Sequence, residues 1–170
     1  MLTSIPTLSD QFMTNERVYE EFEKGEIHQT SGRTVTESDI RMFVGATGST
    51  DPIHVDHEYA AEHPLVDRVV AQGTLALGIT DGLVVEAVAG EAALSMNYGH
   101  DKVRYLAPVY PGDTLSATVE IVETTRRDEE WGVVVVDVEV RNHDNRMVLV
   151  ETHRLLVATA ENPAVDLETS

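Results

Sequence analysis

The side chains best suited to moving protons lie together in Thr47 to Ala61, which reads TGSTDPIHVDHEYAA. An imidazole ordinarily titrates near ~6.5, so His54 can accept or donate a proton near neutrality and is the first candidate for acid–base work. A histidine in a loop can equally be a hydrogen-bonded pin. Asp51 admits two roles. It can orient or charge-balance His54, or it can begin a helical turn, because Asp followed by Pro52 is a good N-cap and N1 pair. Ser49 can position a water but cannot act as a base at neutral pH without a partner, and no G-x-S-x-G surrounds it. His54, His57 and His63 with Asp51 and Asp56 offer metal-ligand types, but no HExxH is present and histidines three apart in a loop are not diagnostic. No metal site is expected there.

These residues need a frame. A strand-like stretch near 26–35 leads to Thr36, an N-cap with Asp39 three residues on, and Ile40, Phe43, Val44 and Thr47 follow at helical spacing. Residues 49–70 read as short helical turns in an ordered loop. Gly73 opens a second helix, roughly 74–89, whose apolar residues fall on nearly every side, so it is expected to be buried all round. Its glycines 78 and 82 would let a sheet approach closely. Asp81 on that helix, near the face of Thr74 and Gly78, needs a partner or a raised pKa if buried. It is read as a second acid or a ligand for a polar substrate group beside the acyl pocket, or as a salt-bridge partner of Arg104. The C-terminal half reads as strands at 102–107, 114–123, 131–141 and 146–159, with Pro111-Gly112 as a type II turn and 142–145 as a hairpin loop. Asp128 to Glu130 reads as a solvated hairpin tip. Several antiparallel strands and one buried helix predict an α+β fold in which a curved sheet wraps a central helix, the hotdog architecture. Residues 1–20 read as an N-terminal arm, 21–158 as the domain and 159–170 as a tail.

Gly48, Pro52, Ile53, His54, Asp56 and Ala60 together resemble the signature of the MaoC-like dehydratases and R-specific enoyl-CoA hydratases. Ala71-Gln72-Gly73 and Val103 to Leu115 (VRYLAPVYPGDTL) resemble that family's later motifs in order, so the likeness runs over about residues 21–158. It implies a single hotdog domain, a homodimer, no cofactor, and reversible hydration or dehydration of enoyl-CoA and 3-hydroxyacyl-CoA thioesters. It assigns proton transfer to an Asp and the His, here His54, and the thioester oxyanion to the N–H of Gly73. Helix N-termini suit that last task, since their unpaired N–H groups favour an anion. The family's Asp falls at Ser49, its Asn at Asp51, its His before the helix glycine at Gln72, and a small polar residue at Asp81. Asp51, Ser49, His54 and Gly73 are therefore the candidate catalytic residues. Asp81, Gln72, Thr74, Arg104 and Lys102 are candidates for binding substrate, with Arg68 as a third cation for coenzyme A phosphates. A non-catalytic acyl-CoA-binding protein and a hotdog thioesterase are the alternatives.

Composition narrows the classes further. The chain has 170 residues, with 12 Lys and Arg against 30 Asp and Glu, a formal charge of −18. Such a surface repels a phosphate backbone, so nucleic acid is not an expected partner. No apolar run reaches the ~18 residues of a spanning helix, and no basic-then-apolar leader opens the chain, so a cytoplasmic protein without a membrane partner is expected. With no cysteine, disulfides, thiolate sites and a Cys nucleophile are excluded. Lys24 and Lys102 are the only lysines, and this lysine-poor acidity suits high salt or, equally, an acidic cytosolic protein from a GC-rich genome. Screening extends over ~3 Å at 1 M salt and ~30 Å at 0.01 M. If the chain is adapted to salt, its melting temperature falls when salt is lowered from above ~1 M to below ~0.05 M. An unchanged melting temperature removes that inference.

Overall fold

A computed structural model of the chain describes residues 17–165. Its elements run β1 (Ile27–Gln29), β2 (Arg33–Thr34), α1 (Glu37–Thr47), α2 (His57–Glu62), α3 (Gly73–Ala87), β3 (Ser95–Tyr105), β4 (Thr114–Arg126), β5 (Trp131–Arg141) and β6 (Met147–Ala158). The strands form one antiparallel sheet in the order β1-β4-β5-β6-β3, and β2 also pairs with β4. α3 packs against the sheet through Ala76, Thr80, Leu83, Val84 and Ala87, which are buried at helical spacing. This is the hotdog arrangement expected from the sequence.

Local chemistry explains most boundaries. The Thr36 hydroxyl accepts from Asp39 N at 3.1 Å while the Asp39 carboxylate accepts from Thr36 N at 2.7 Å, which fixes the start of α1. Gly48, at φ 71°, ends that helix in the left-handed region and turns the chain into the Ser49–His54 loop. Asp56 caps α2 by accepting from the N–H groups of Glu58 and Tyr59, both at 3.0 Å. Gly112, at φ 95°, and the Asp113 N to Tyr110 O bond of 3.0 Å form the turn expected at Pro111-Gly112. Asp128 sits at the tip between β4 and β5, as anticipated, and holds it by accepting from Trp131 N at 2.8 Å.

Four expectations need correction. The strand expected over 26–35 is two short strands, because Ser31 turns aside to bond Glu86 of α3 through its N–H and hydroxyl, at 2.7 and 2.8 Å. Gly32 passes so close to Thr114 that a Cβ there would lie 2.7 Å from its methyl group. β3 begins at Ser95 rather than 102. Its first half is polar and broken by bulges at Asn97/Gly99 and Asp101/Arg104, which hide the two-residue alternation. α3 is not buried all round: Thr74, Gly78, Gly82 and Val85 form an exposed face, and apart from the adjoining helix backbone no atom of the described residues lies within 4 Å of a Cβ built on either glycine. The close sheet contact expected at Gly78 and Gly82 is therefore absent among the described residues. Beyond β6 the chain stays attached, with Thr159 and Asn162 buried and donating to the Glu130 carbonyl at 2.9 and 3.1 Å. Of the N-terminal arm, Arg17 is tied to Glu26 and Glu91, both at 2.9 Å; residues 1–16 lie outside the described residues, as do 166–170. No helix among the described residues is long and apolar enough to cross a membrane.

Candidate active site

The loop carrying His54 is fastened to the segment that enters α3. Val70 N donates to the Ile53 carbonyl at 3.2 Å, and the His54 Nδ1 lies 2.7 Å from the Val70 carbonyl. A carbonyl only accepts, so Nδ1 carries the hydrogen and Nε2 is left as the acceptor nitrogen of the neutral ring. Ala71 N then donates to the Val109 carbonyl at 2.8 Å, joining this segment to the strand-turn that follows β3. Between these three pieces lies a cavity of about 400 Å³, lined by His54, Gly73, Ala76, Tyr105, Val109 and Val148 among others. Its wall is mostly apolar, with an imidazole and a helix N-terminus as the polar features. The first N–H groups of α3 have no intrahelical acceptor and carry the positive end of its dipole, so the Gly73 end suits an oxygen gathering negative charge. Space there is tight: a Cβ on Gly73 would lie 3.0 Å from the Tyr105 ring, so a larger residue would push that half-exposed ring aside.

The other expected residues are placed less centrally. Asp51 is exposed and accepts from Ile53 N at 3.3 Å as the cap of the turn Pro52–His54, so its carboxylate does what the capping alternative requires. Ser49 is half-buried, next to the end of α1. Gln72 is 2% exposed, with both amide atoms unpartnered in the single chain. Thr74 is on the exposed face of α3, and Lys102 and Arg104 are exposed on β3. Ser49, Asp51, Gln72, Thr74, Asp81, Lys102 and Arg104 all lie outside the cavity wall. Arg68, by contrast, precedes Val70 by two residues and stacks on Tyr110 at 4.3 Å, close to that wall. His57 pairs with Glu37 at 3.3 Å and His63 accepts from Leu65 N at 3.3 Å, so the loop histidines serve separate partners.

Asp81 does not pair with Arg104, whose guanidinium bonds the Val103 carbonyl at 2.7 Å. It belongs instead to a polar cluster between α3, β3 and β6 that sequence reasoning missed. Asn97 donates to Asp81 Oδ1 at 2.9 Å, and His153 Nε2 lies 3.7 Å from the same oxygen. His100 Nδ1 meets Glu151 at 2.6 Å, and the His100 and His153 rings stack at 4.2 Å between centroids. The register pairs His100 with His153, so the long-range contact follows from β3–β6 pairing. The available signal was Glu151 and His153 two apart in a strand that is otherwise largely apolar. Burial pushes the His153 pKa down to about 4, helped by neighbouring His100 and opposed by Asp81, and burial raises that of Glu151 against the pull of His100.

A model of the family described as "MaoC like domain" matches residues 20–143. The chain is 36% identical over 99 residues to "Protein MaoC" of Klebsiella aerogenes, a match covering 58% of this chain and only 29% of that protein. It is 31% identical over 103 residues to "(R)-specific enoyl-CoA hydratase" of Rhodospirillum rubrum, covering 61% of this chain and 68% of the relative. Among solved structures it is similar to "Monoamine oxidase regulatory protein" from Archaeoglobus fulgius, at TM-score 0.74 and 32% identity, covering 85% of this chain and 95% of that one.

The buried histidine sets a pH expectation. Below ~6.5 the unfolded chain protonates this residue, whereas the native state holds it neutral until about pH 4. The unfolded state thus binds more protons in that window, and stability falls as pH drops through it. Glu151 acts in the opposite sense, so the measurement is a difference. From pH 6.5 to 4.5 the wild type should lose about 2–3 kcal/mol relative to His153→Gln in denaturant melts. Parallel curves would mean that His153 is not held neutral.

Proposed function

The chain belongs to the MaoC-like family of hydratases and dehydratases, and from that premise we propose that it adds and removes water at the double bond of enoyl thioesters, coenzyme A esters being the expected carriers. The observation that carries this reading is the His54 ring, held by its bond to the Val70 carbonyl on the wall of an apolar cavity that it shares with the N-terminus of α3. In hydration, Nε2 of His54 takes a proton from water as the water oxygen bonds to the β carbon. The π electrons shift to the thioester oxygen, which gathers enolate charge against the Gly73 N–H. The α carbon then takes that proton back from the His54 imidazolium and the carbonyl re-forms, leaving His54 neutral; dehydration is the reverse. The apolar wall accepts the acyl chain, and Arg68 offers a charge for a phosphate near its rim. With Ser49 at the family carboxylate position, His54 acts as the base alone, and Asp51 shapes the turn.

An absorbance assay with short, medium and branched enoyl-CoA and 3-hydroxyacyl-CoA esters tests this reading. His54→Ala should lower turnover by ~10²–10⁴, as expected for losing a general acid or base. Asp51→Asn should stay close to wild type in rate and stability, since Asn caps nearly as well. If Asp51→Asn instead loses ~10²-fold or more, Asp51 has taken over the carboxylate role, and Ser49→Asp added to it should restore part of the rate. A wild type that binds these thioesters without turning them over would establish the non-catalytic binder instead.

Assembly belongs to the same reading. β3 is an edge of the sheet, and Met96, Tyr98, Tyr105 and Leu106 on and after it are about half exposed, beside the open face of α3. A long strand whose outer edge is open and which carries exposed aromatic residues favours pairing with a second copy, and a two-fold dimer is the commonest closed assembly. Light scattering at micromolar concentration and moderate to high salt should return the mass of two chains, and Tyr98→Lys should shift it toward one. A single-chain mass for wild type would count against the dimer.

A further inference from the structure

The cluster between α3, β3 and β6 takes no part in the proton transfers assigned to His54, and its geometry has its own chemistry. One carboxylate oxygen of Asp81 and one ring nitrogen each of His100 and His153 all lie within 4.8 Å of one another. Donors on a tetrahedral zinc, at about 2.0–2.2 Å from the ion, stand about 3.3–3.5 Å apart. The Asp81 Oδ1 to His153 Nε2 separation of 3.7 Å is already near that value. His153 is 1% exposed, yet among the described residues neither of its ring nitrogens has a hydrogen-bond partner, and one buried oxygen of Glu151 also lacks one. Buried polar atoms are seldom left so, because each forfeits its hydration without replacement. An ion taken up by the cluster would satisfy the histidine directly.

We propose that Asp81, His100 and His153 form a binding site for a divalent transition-metal ion of the zinc, cobalt or nickel class, with Glu151 as the positioning residue for His100. Two imidazoles and one carboxylate are the donor set such ions prefer; magnesium and calcium take oxygen ligands and are disfavoured. The Glu151 carboxylate 2.6 Å from His100 Nδ1 holds the hydrogen on that nitrogen and leaves Nε2 free to ligate, the carboxylate–histidine–metal arrangement of many such sites. Asn97 Nδ2 lies 2.9 Å from Asp81 Oδ1 and 2.8 Å from His100 Nε2, so an amide with partial positive charge bridges two of the donors. Asn97 is exposed, and its side chain can turn out as an ion enters. The His100 ring, half-exposed on the edge strand and tilted 36° from His153, turns about its own torsions to direct Nε2 inward. The donors come from a helix and two paired strands, so no backbone rearrangement is required. The outer position of Asp81, with its side chain 40% exposed, provides the entry path. A bound ion would tie α3 to β3 and β6.

The test uses tag-free protein, chelator-treated and then dialysed into 1 M salt, so that surface acids compete weakly. Calorimetry and the visible absorption of cobalt(II) should report one ion per chain, displaced by zinc(II), with a melting temperature that rises with metal concentration. Asp81→Asn and His153→Gln should each abolish the stoichiometric binding, Glu151→Gln should weaken it by about 10–100-fold, and His54→Ala should leave it unchanged. Glu151 and its variant separate positioning from packing, because the spectrum of the residual cobalt complex reports ligand geometry while circular dichroism reports the fold. Should His153→Gln fail to fold, Asp81→Asn, at a half-exposed helical position, decides the matter. No stoichiometric binding by wild type, or binding that survives Asp81→Asn, would overturn the proposal. So would cobalt binding that His54→Ala removes, since that would place the ion in the loop.

Discussion

A fifteen-residue helix rich in Leu, Ile and Val has to be covered, and the covering of α3 is the constraint on which the rest of the molecule depends. The sheet supplies the cover on one side through inward residues of β4, β5 and β6 such as Leu115, Ile121, Val136 and Val157, all buried. Bending a sheet around a helix leaves the helix ends to be closed by irregular chain. At the N-terminal end, the closing pieces are the 49–71 loop and the turn before β4. Those pieces are where a polar side chain can reach the first N–H groups of the helix without crossing the core. The site is therefore a consequence of how the helix end is closed.

That closure is held by backbone groups. The reciprocal bonds between Ile53–His54 and Val70, and the bond from Ala71 to Val109, tie three separate stretches of chain together. They fix the tautomer of His54 by the same bond that anchors its loop, so orienting the imidazole and folding the loop are one event. It follows that side chains with only a local capping duty, Asp51 and Asp56, matter to the site through the shape of the loop. The motif residues Pro52, His54 and Asp56 thus divide into one group with reactive chemistry and two that set where it stands.

Legibility in the sequence follows the range of the interactions. The capping box at Thr36, the turn at Pro111-Gly112, the limits of β5 and the helix opening at Gly73 depend on neighbours a few residues away, and all were readable. The placement of His54 against α3 was legible because the spacing of several motifs matched a family pattern. What escaped was set by contacts between distant segments. The break at Ser31 exists because Glu86 of the helix draws it aside. The first half of β3 is a strand because β6 pairs with it despite two bulges. Asp81 was matched with Arg104 instead of its actual neighbours because Asn97 and His153 reach it only once β3 and β6 are in register.

The two polar regions along α3 then stand in a physical relation. Gly73 and Asp81 are eight residues apart, about 12 Å along a helix, with Ala76, Leu77 and Thr80 between them. Near the first, the fold presents unpaired N–H groups to an apolar cavity; near the second, it gathers carboxylates and imidazoles whose demands for partners are not all met. Between them the buried Thr80 hydroxyl is satisfied within the helix by the Ala76 carbonyl, at 2.9 Å, and offers no link from one region to the other. The helix therefore carries a cavity lined by an imidazole at its beginning and a separate polar cluster at its middle, the two sharing one scaffold that the sheet folds around.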